Sequence, residues 1–417
     1  MTEIGRTPGR TEENRAAVSG RRWLYLITAS AGMLFAGIIY AWSIMKTPLS
    51  GEFGWTPQQL SLNYTISLCC FCLASLAAGI LSKKLSVRVI LTAGGAMIAV
   101  SLILMAGLHD AGPHALYLCY GVLLGSGVGL CYNTLISVGN AWFPDKKGFS
   151  AGLMMMCLGF STMVLGTLAS TLMETPGIGW RKTYIGLGIA IFAVLLLCAF
   201  ILKKPGADVK LPEAPKKQHR EDFEPRDYTA AETIRRPSFW LFYLYGLLAS
   251  SVGSTVIGYA RELSISLGAA AQTAAALVGV LSVFNGLGRI MSGICYDRLG
   301  RRFTMLFASA ATMAAPALML AAIAAHSLPL SILSFCLTGI SYGCMPTISS
   351  AFVASFYGMK DFALNFSIGN TKLLFSSFAA TAATALMVST GGYTAPFQML
   401  LALAAAAFVL GFFIRKP

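Results

Sequence analysis

Two basic residues stand where charge is costly. Arg289 lies in the run "VFNGLGRIMSGI", and Lys372 lies in "SIGNTKLLFSSF". From Phe362 to Ile414, Lys372 is the only charged residue. Ionisable groups at membrane depth are expensive and mark function by default. Each has polar company at helical spacing. Ser282, Asn285, Arg289 and Ser292 follow i, i+3, i+7 and i+10, and Asn365, Gly369, Lys372 and Ser376 follow i, i+4, i+7 and i+11. Either set forms one face of a helix. Two cations that face one cavity without a carboxylate repel each other and lack a counter-ion. A bound anion is the natural partner. The planar Arg fork suits a carboxylate, and Lys adds a movable point charge. A small mono- or dicarboxylate fits this pair better than a phosphate ester, which would call for more Arg. Tyr40, Tyr64, Tyr132 and Tyr342 sit in apolar runs, with Asn133 beside Tyr132, and their polar tips can hydrogen-bond a carboxylate.

The rest of the composition says what positions these residues. The chain has 417 residues, 56% hydrophobic and 12% charged, and its mean hydropathy is +0.69. A soluble domain carries about 25% charged residues. Apolar runs long enough to cross about 30 Å of hydrocarbon recur throughout. They predict twelve spans: 23–46, 57–82, 87–108, 113–142, 149–173, 181–202, 238–260, 269–295, 303–325, 328–356, 362–389 and 393–414. The expected fold is an all-α polytopic membrane protein. Barrel strands would be near ten residues and alternating, and these runs are continuous.

The net charge is +14, and its placement decides its meaning. With both termini in the cytosol, 25 of the 31 Lys and Arg fall in cytosolic segments. Only Lys46, Arg181, Lys182 and Arg261 fall on the outer side. This is the positive-inside bias of a protein in the cytoplasmic membrane, and it leaves nucleic acid without a role. The polar N-terminus has no short apolar core before a cleavage site, so it reads as a cytosolic tail. The ten cysteines lie in apolar runs or at their ends and act as small fillers. No spacing closes a metal site, and no nucleophile–base pair lies in a span, so neither cofactor nor catalysis is expected.

The chain divides into a tail 1–22, a six-helix bundle 23–202, a charged and Pro-rich linker 203–237, a second bundle 238–414 and a short tail 415–417. The bundles repeat weakly in register. Trp23 matches Trp240, "GILSKKLSVR" matches "GICYDRLGRR", and "GLCY" matches "GISY". Tyr132 and Tyr342 are thereby a related pair. Two parallel halves around a central site are a known transporter plan.

The loop of Gly293, Asp297, Arg298, Gly300 and Arg301 resembles the signature of the major facilitator superfamily. The resemblance implies a charge-relay latch at the cytosolic face. The first-half copy has Lys83 where the acid would stand and Ser86 where the Gly would stand, so the latch is expected to rest on Asp297 and the second half. Across nearly the whole chain, and most specifically in "AWFPDKKGFSAGL", "FNGLGRIMSGICYDRLGR" and "NTKLLFSS", the sequence is similar to the oxalate/formate antiporter family, a branch related to the monocarboxylate transporters. In that family a basic pair on the eighth and eleventh helices holds the dianion, and Arg289 and Lys372 fall there. Tyr40, Tyr132 and Tyr342 fall on family cavity tyrosines. Thr338 and Gly369 replace two tryptophans that box in the ligand, and Ile39 replaces a Gln. The resemblance therefore implies a wider cavity that admits carboxylates longer than oxalate.

The expected mechanism is alternating access by a functional monomer in the bilayer, with exchange of one anion for another. Closing over two unpaired cations would be costly for an empty carrier. The alternative is proton-coupled monocarboxylate symport with Lys372 as the proton carrier. A more distant one is an intramembrane enzyme or sensor.

Overall fold

The computed structural model describes residues 8–109, 112–206, 209, 211–212 and 227–414. Residues 1–7 of the first tail, the tail 415–417 and about half of the central linker lie outside the described residues. Among the described residues twelve helices are long and apolar enough to cross a membrane. They are α1 (Gly20–Phe53), α2 (Leu62–Leu81), α3 (Val87–Ala106), α4 (Pro113–Ala141), α5 (Lys147–Glu174), α6 (Gly179–Ile201), α7 (Pro237–Ser266), α8 (Ala276–Leu299), α9 (Arg301–Ala324), α10 (Leu328–Phe356), α11 (Phe362–Thr390) and α12 (Thr394–Phe413). No strand occurs among the described residues. The first helical segment begins at Pro8, so it reaches back into what reads as a polar tail. It also continues past residue 46 to Phe53.

The ends follow local chemistry. A capping box between Thr56 and Gln59, with Pro57 at the first helical position, starts the segment that becomes α2. Ser86 caps α3. Gly300, at φ +85°, makes the sharp turn from α8 to α9. The two halves pack alike. α2 and α3 lie on α4 as α8 and α9 lie on α10, and α1 lies on α5 as α7 lies on α11. Lipid gives helices little hydrophobic reason to associate, so small residues at the contacts set how closely they pack.

Besides a π stretch at Tyr117–Leu124 of α4, three membrane helices depart from regular geometry. α1 tightens to a 3-10 stretch at Gly37–Ala41, and α5 widens to a π stretch at Thr162–Gly166. α11 breaks at Thr371, between Phe362–Asn370 and Lys372–Thr390. Such interruptions need neighbours to satisfy the freed backbone groups. Tyr40 lies in the first of them, and Lys372 opens the segment after the third.

Candidate functional site

Arg289 on α8 is 9% exposed, and its side chain reaches the other half. Its Nε donates to Asn285 Oδ1 at 3.1 Å, one helical turn earlier. A terminal nitrogen donates to the Met155 carbonyl on α5. Gly159, a turn further along α5, leaves the room the guanidinium fills, since an added Cβ there would stand 2.7 Å from it. Tyr40, Tyr132 and Tyr342 lie within electrostatic range of this group. The predicted cluster of one Arg, three tyrosines and Asn285 therefore assembles from four helices, α1, α4, α8 and α10.

Lys372 is 2% exposed. Its ammonium donates to Ser349 Oγ at 2.9 Å and to the Gly369 carbonyl at 3.2 Å, and sits 5.5 Å from the centre of the Phe242 ring. The break at Thr371 leaves the last carbonyls of the preceding segment in need of donors, and Gly369 is one of them. The stem lies in a slot against Gly246, whose added Cβ would meet Lys372 Cε at 2.8 Å. Among the described residues no carboxylate pairs with Arg289 or Lys372. Each cation is held only by neutral acceptors.

Tyr132 joins the halves beneath these groups. Its hydroxyl donates to Met155 Sδ at 3.5 Å and accepts from Asn370 Nδ2 at 3.5 Å, and its ring lies 6.0 Å from Phe366. Tyr40 is 36% exposed. Two predicted polar residues sit elsewhere. Asn133 spans the halves by donating to the Ser75 and Ala363 carbonyls at 2.5 and 2.9 Å. Asn365 donates to the Tyr228 carbonyl at 3.1 Å. Gly369 looks toward α7, where an added Cβ would meet only Phe239, at 3.8 Å. Met155, Ser349, Asn370, Phe242 and Gly246 are partners that the sequence reading missed. Ser349 alone had a signal, seven residues after Tyr342 on the same face of α10.

The face at which α1 begins and α12 ends is closed. Asp297 accepts from the Gly148 and Phe149 amides at 2.9 and 2.8 Å, placing a carboxylate on the first turn of α5. Gly293 touches Gly148 backbone to backbone. Arg301 donates to the Ile414 carbonyl at 2.9 Å, and Arg298 is exposed at the end of α8. The first-half copy of the motif also takes part. Lys83 pairs with Asp361, buried at 8% exposure, at 2.8 Å across the halves. The expectation of a latch on the second half alone is thus too narrow, because polarity is exchanged: a base on the loop meets an acid at the start of α11. Lys83→Glu is expected to raise amide exchange in residues 362–366 about fivefold, from about 1 kcal/mol for a half-exposed pair. Adding Asp361→Lys in the same chain should restore protection. Cross-half packing involves the stretches Lys147–Ser161 of α5 and Phe362–Asn370 of α11, while Thr167–Glu174 packs within its own half. Packing between the halves is therefore concentrated toward the basic face.

The sequence profile of the Major Facilitator Superfamily matches residues 24–261 and 246–417. The chain belongs to this superfamily. It is a multi-pass membrane transporter. It is 27% identical over 396 residues to the oxalate:formate antiporter of Oxalobacter formigenes, covering 94% of this chain and 92% of that one. It is 26% identical to monocarboxylate transporter 12 of Rattus norvegicus, over 61% of this chain and 56% of that one. Its fold matches the proton:xylose symporter XylE with a TM-score of 0.73 at 13% identity, over 95% and 97% of the two chains. FucP in the outward conformation matches with a TM-score of 0.70 at 15% identity, over 95% of this chain and 100% of that one.

Proposed function

We propose that this transporter carries small organic anions, mono- or dicarboxylates, by alternating access and exchanges one anion for another. The observation that carries this reading is the pair of buried cations, Arg289 and Lys372, that have no carboxylate among the described residues. A carboxylate entering the site would replace the weak neutral acceptors of both. Arg289 would grip it with two parallel hydrogen bonds. Tyr40, Tyr132 and Tyr342 would supply hydroxyls around it. The basic face would lie in the cytosol of a cell with this protein in its cytoplasmic membrane, which makes the structure a state closed toward the cytosol. The likeness to the oxalate:formate antiporter supports exchange of short acids. Thr338 and Gly369 stand where the resemblance places two ring side chains, which supports acids longer than oxalate.

Exchange follows from the cost of the empty cycle. Without an anion, both cations must be enclosed with neutral partners only, a several kcal/mol burden in a dry interior. Proteoliposomes loaded with one acid and challenged with formate, oxalate, lactate, pyruvate, malonate or succinate should show counterflow much faster than net efflux. Net efflux as fast as exchange would remove the antiport reading. Alkalinisation of the lumen coupled to that efflux would then favour proton symport, with Lys372, the one titratable amine in the site, as the proton carrier.

A further inference from the structure

We propose that the protein has a second anion site, distinct from the transport cavity, that takes a phosphate group carrying a hydroxylated head, and that a lipid of the adjacent leaflet supplies it. A cavity of about 420 Å³ lies within the first half at the basic face, between the ends of α2, α4 and α6 and the start of α3. Arg88, Lys203 and Lys204 line it, with Ser82 and Ser86, and no acidic residue is among its lining residues. Arg88 is exposed and rests 4.8 Å from the centre of the Phe200 ring, a contact that fixes the guanidinium without neutralising it. The first turn of α3 forms part of the wall and adds the positive end of its dipole. Three cations, two hydroxyls and a helix start suit a phosphodiester better than a carboxylate.

The depth of the cavity says more. It reaches Asn133, about 12 Å of helix from the end of α4 at Ala141. Asn133 is fully buried; its amide nitrogen is used by two carbonyls, and its Oδ1 has no partner among the described residues. That oxygen needs a donor, which phosphate lacks and a glycerol hydroxyl supplies. The rest of the wall is mainly apolar, with Leu85, Ile90, Ala199 and Leu202, and carries Thr134 and Ser137 beside Asn133. Outside it, Val89 and Phe200 are 50% and 55% exposed. A phospholipid can therefore keep its chains on this lipid-facing strip while its head turns inward. Basic pockets between helices at such a face are a recognised kind of lipid site.

Ala363, from the second half, also lines the cavity, and its carbonyl holds Asn133. A bound head would thus touch both halves and favour the closed basic face. The test uses the full chain in a neutral detergent with short-chain phosphatidylglycerol, short-chain phosphatidylcholine, glycerol phosphate or inorganic phosphate added. Thermal stability and amide exchange are read together. Phosphatidylglycerol is expected to raise the melting temperature and slow exchange in residues 82–90 and 199–204, with phosphatidylcholine inert. The double variant Arg88→Gln, Lys204→Gln should bind it about thirtyfold more weakly, and Arg88→Lys should retain most of the affinity. Equal protection by glycerol phosphate would support the same site with a soluble source. Equal protection by phosphatidylcholine, or protection that spares both segments, would overturn the proposal. So would a double variant that folds and still responds as the parent does.

Discussion

Lys372→Met is expected to leave the empty protein about as stable, and to remove about half or more of its stabilisation by anions. The signs come from what surrounds the ammonium. A Lys at the centre of a membrane helix costs about 3 kcal/mol. Here Ser349, the Gly369 carbonyl and the Phe242 ring offset that. Hydrogen bonds from a charged donor are worth about 1.5 kcal/mol or more each and a ring contact somewhat less, so they about balance that cost. Methionine fills a similar volume without charge, so the empty variant should stay level within about 1 kcal/mol. The loaded state differs. A charge-assisted bond to a bound carboxylate contributes about 1.5–3 kcal/mol, so affinity should fall ten- to a hundredfold. At an acid concentration one hundred times the parent's Kd, the parent gains about 2.7 kcal/mol, and the variant should gain only about 0.4–1.4 kcal/mol. The measurement is a thermal melt with and without each acid. A variant that melts lower when empty but responds normally to acids would make Lys372 a structural residue and end the proposed role.

Much of this site was legible because lipid punishes charge. Arg289 and Lys372 stood out from composition alone, and the faces they share with Asn285 and Ser376 followed from helical spacing. What holds them did not. The Met155 carbonyl and Ser349 become partners only when helices pack, and the Gly369 carbonyl only when α11 breaks at Thr371. Asn133 shows the limit of adjacency. It follows Tyr132 in sequence, but one residue is a rotation of about 100° on a helix, and this turns it toward α2 and α11. Lys83 shows a second limit. Compared with its repeat it looks like a damaged acid, and its meaning depends on Asp361, 278 residues away. The twelve spans were readable because length and apolarity suffice for them. The extension of α1 to Phe53 was harder, because Lys46, Pro48 and Glu52 interrupt the apolar run.

Gly293→Ala is expected to slow exchange by at least tenfold while leaving the fold intact. Gly293 on α8 and Gly148 on α5 meet where the two halves close. A Cβ on either would overlap the other's carbonyl, and backbone, unlike a side chain, has no rotamer by which to yield. Overpacking of this kind costs about 1–3 kcal/mol. The strain falls only on the arrangement in which the basic face is sealed, because the contact joins two separate bundles. At 3 kcal/mol the ratio of sealed to open forms shifts about 150-fold. Alternating access requires both forms, so depleting one stalls the cycle. Alanine is also the better helix former by about 1 kcal/mol, so the same change should firm α8 itself. A loss of transport with unchanged or raised thermal stability would therefore locate the defect between the halves. Gly148→Ala should act alike, and the two together should add little, since both press on one contact. Amide exchange at residues 362–366 should rise in each variant as the face opens. Exchange and transport at the parent's level in Gly293→Ala would show that this contact does not gate the cycle.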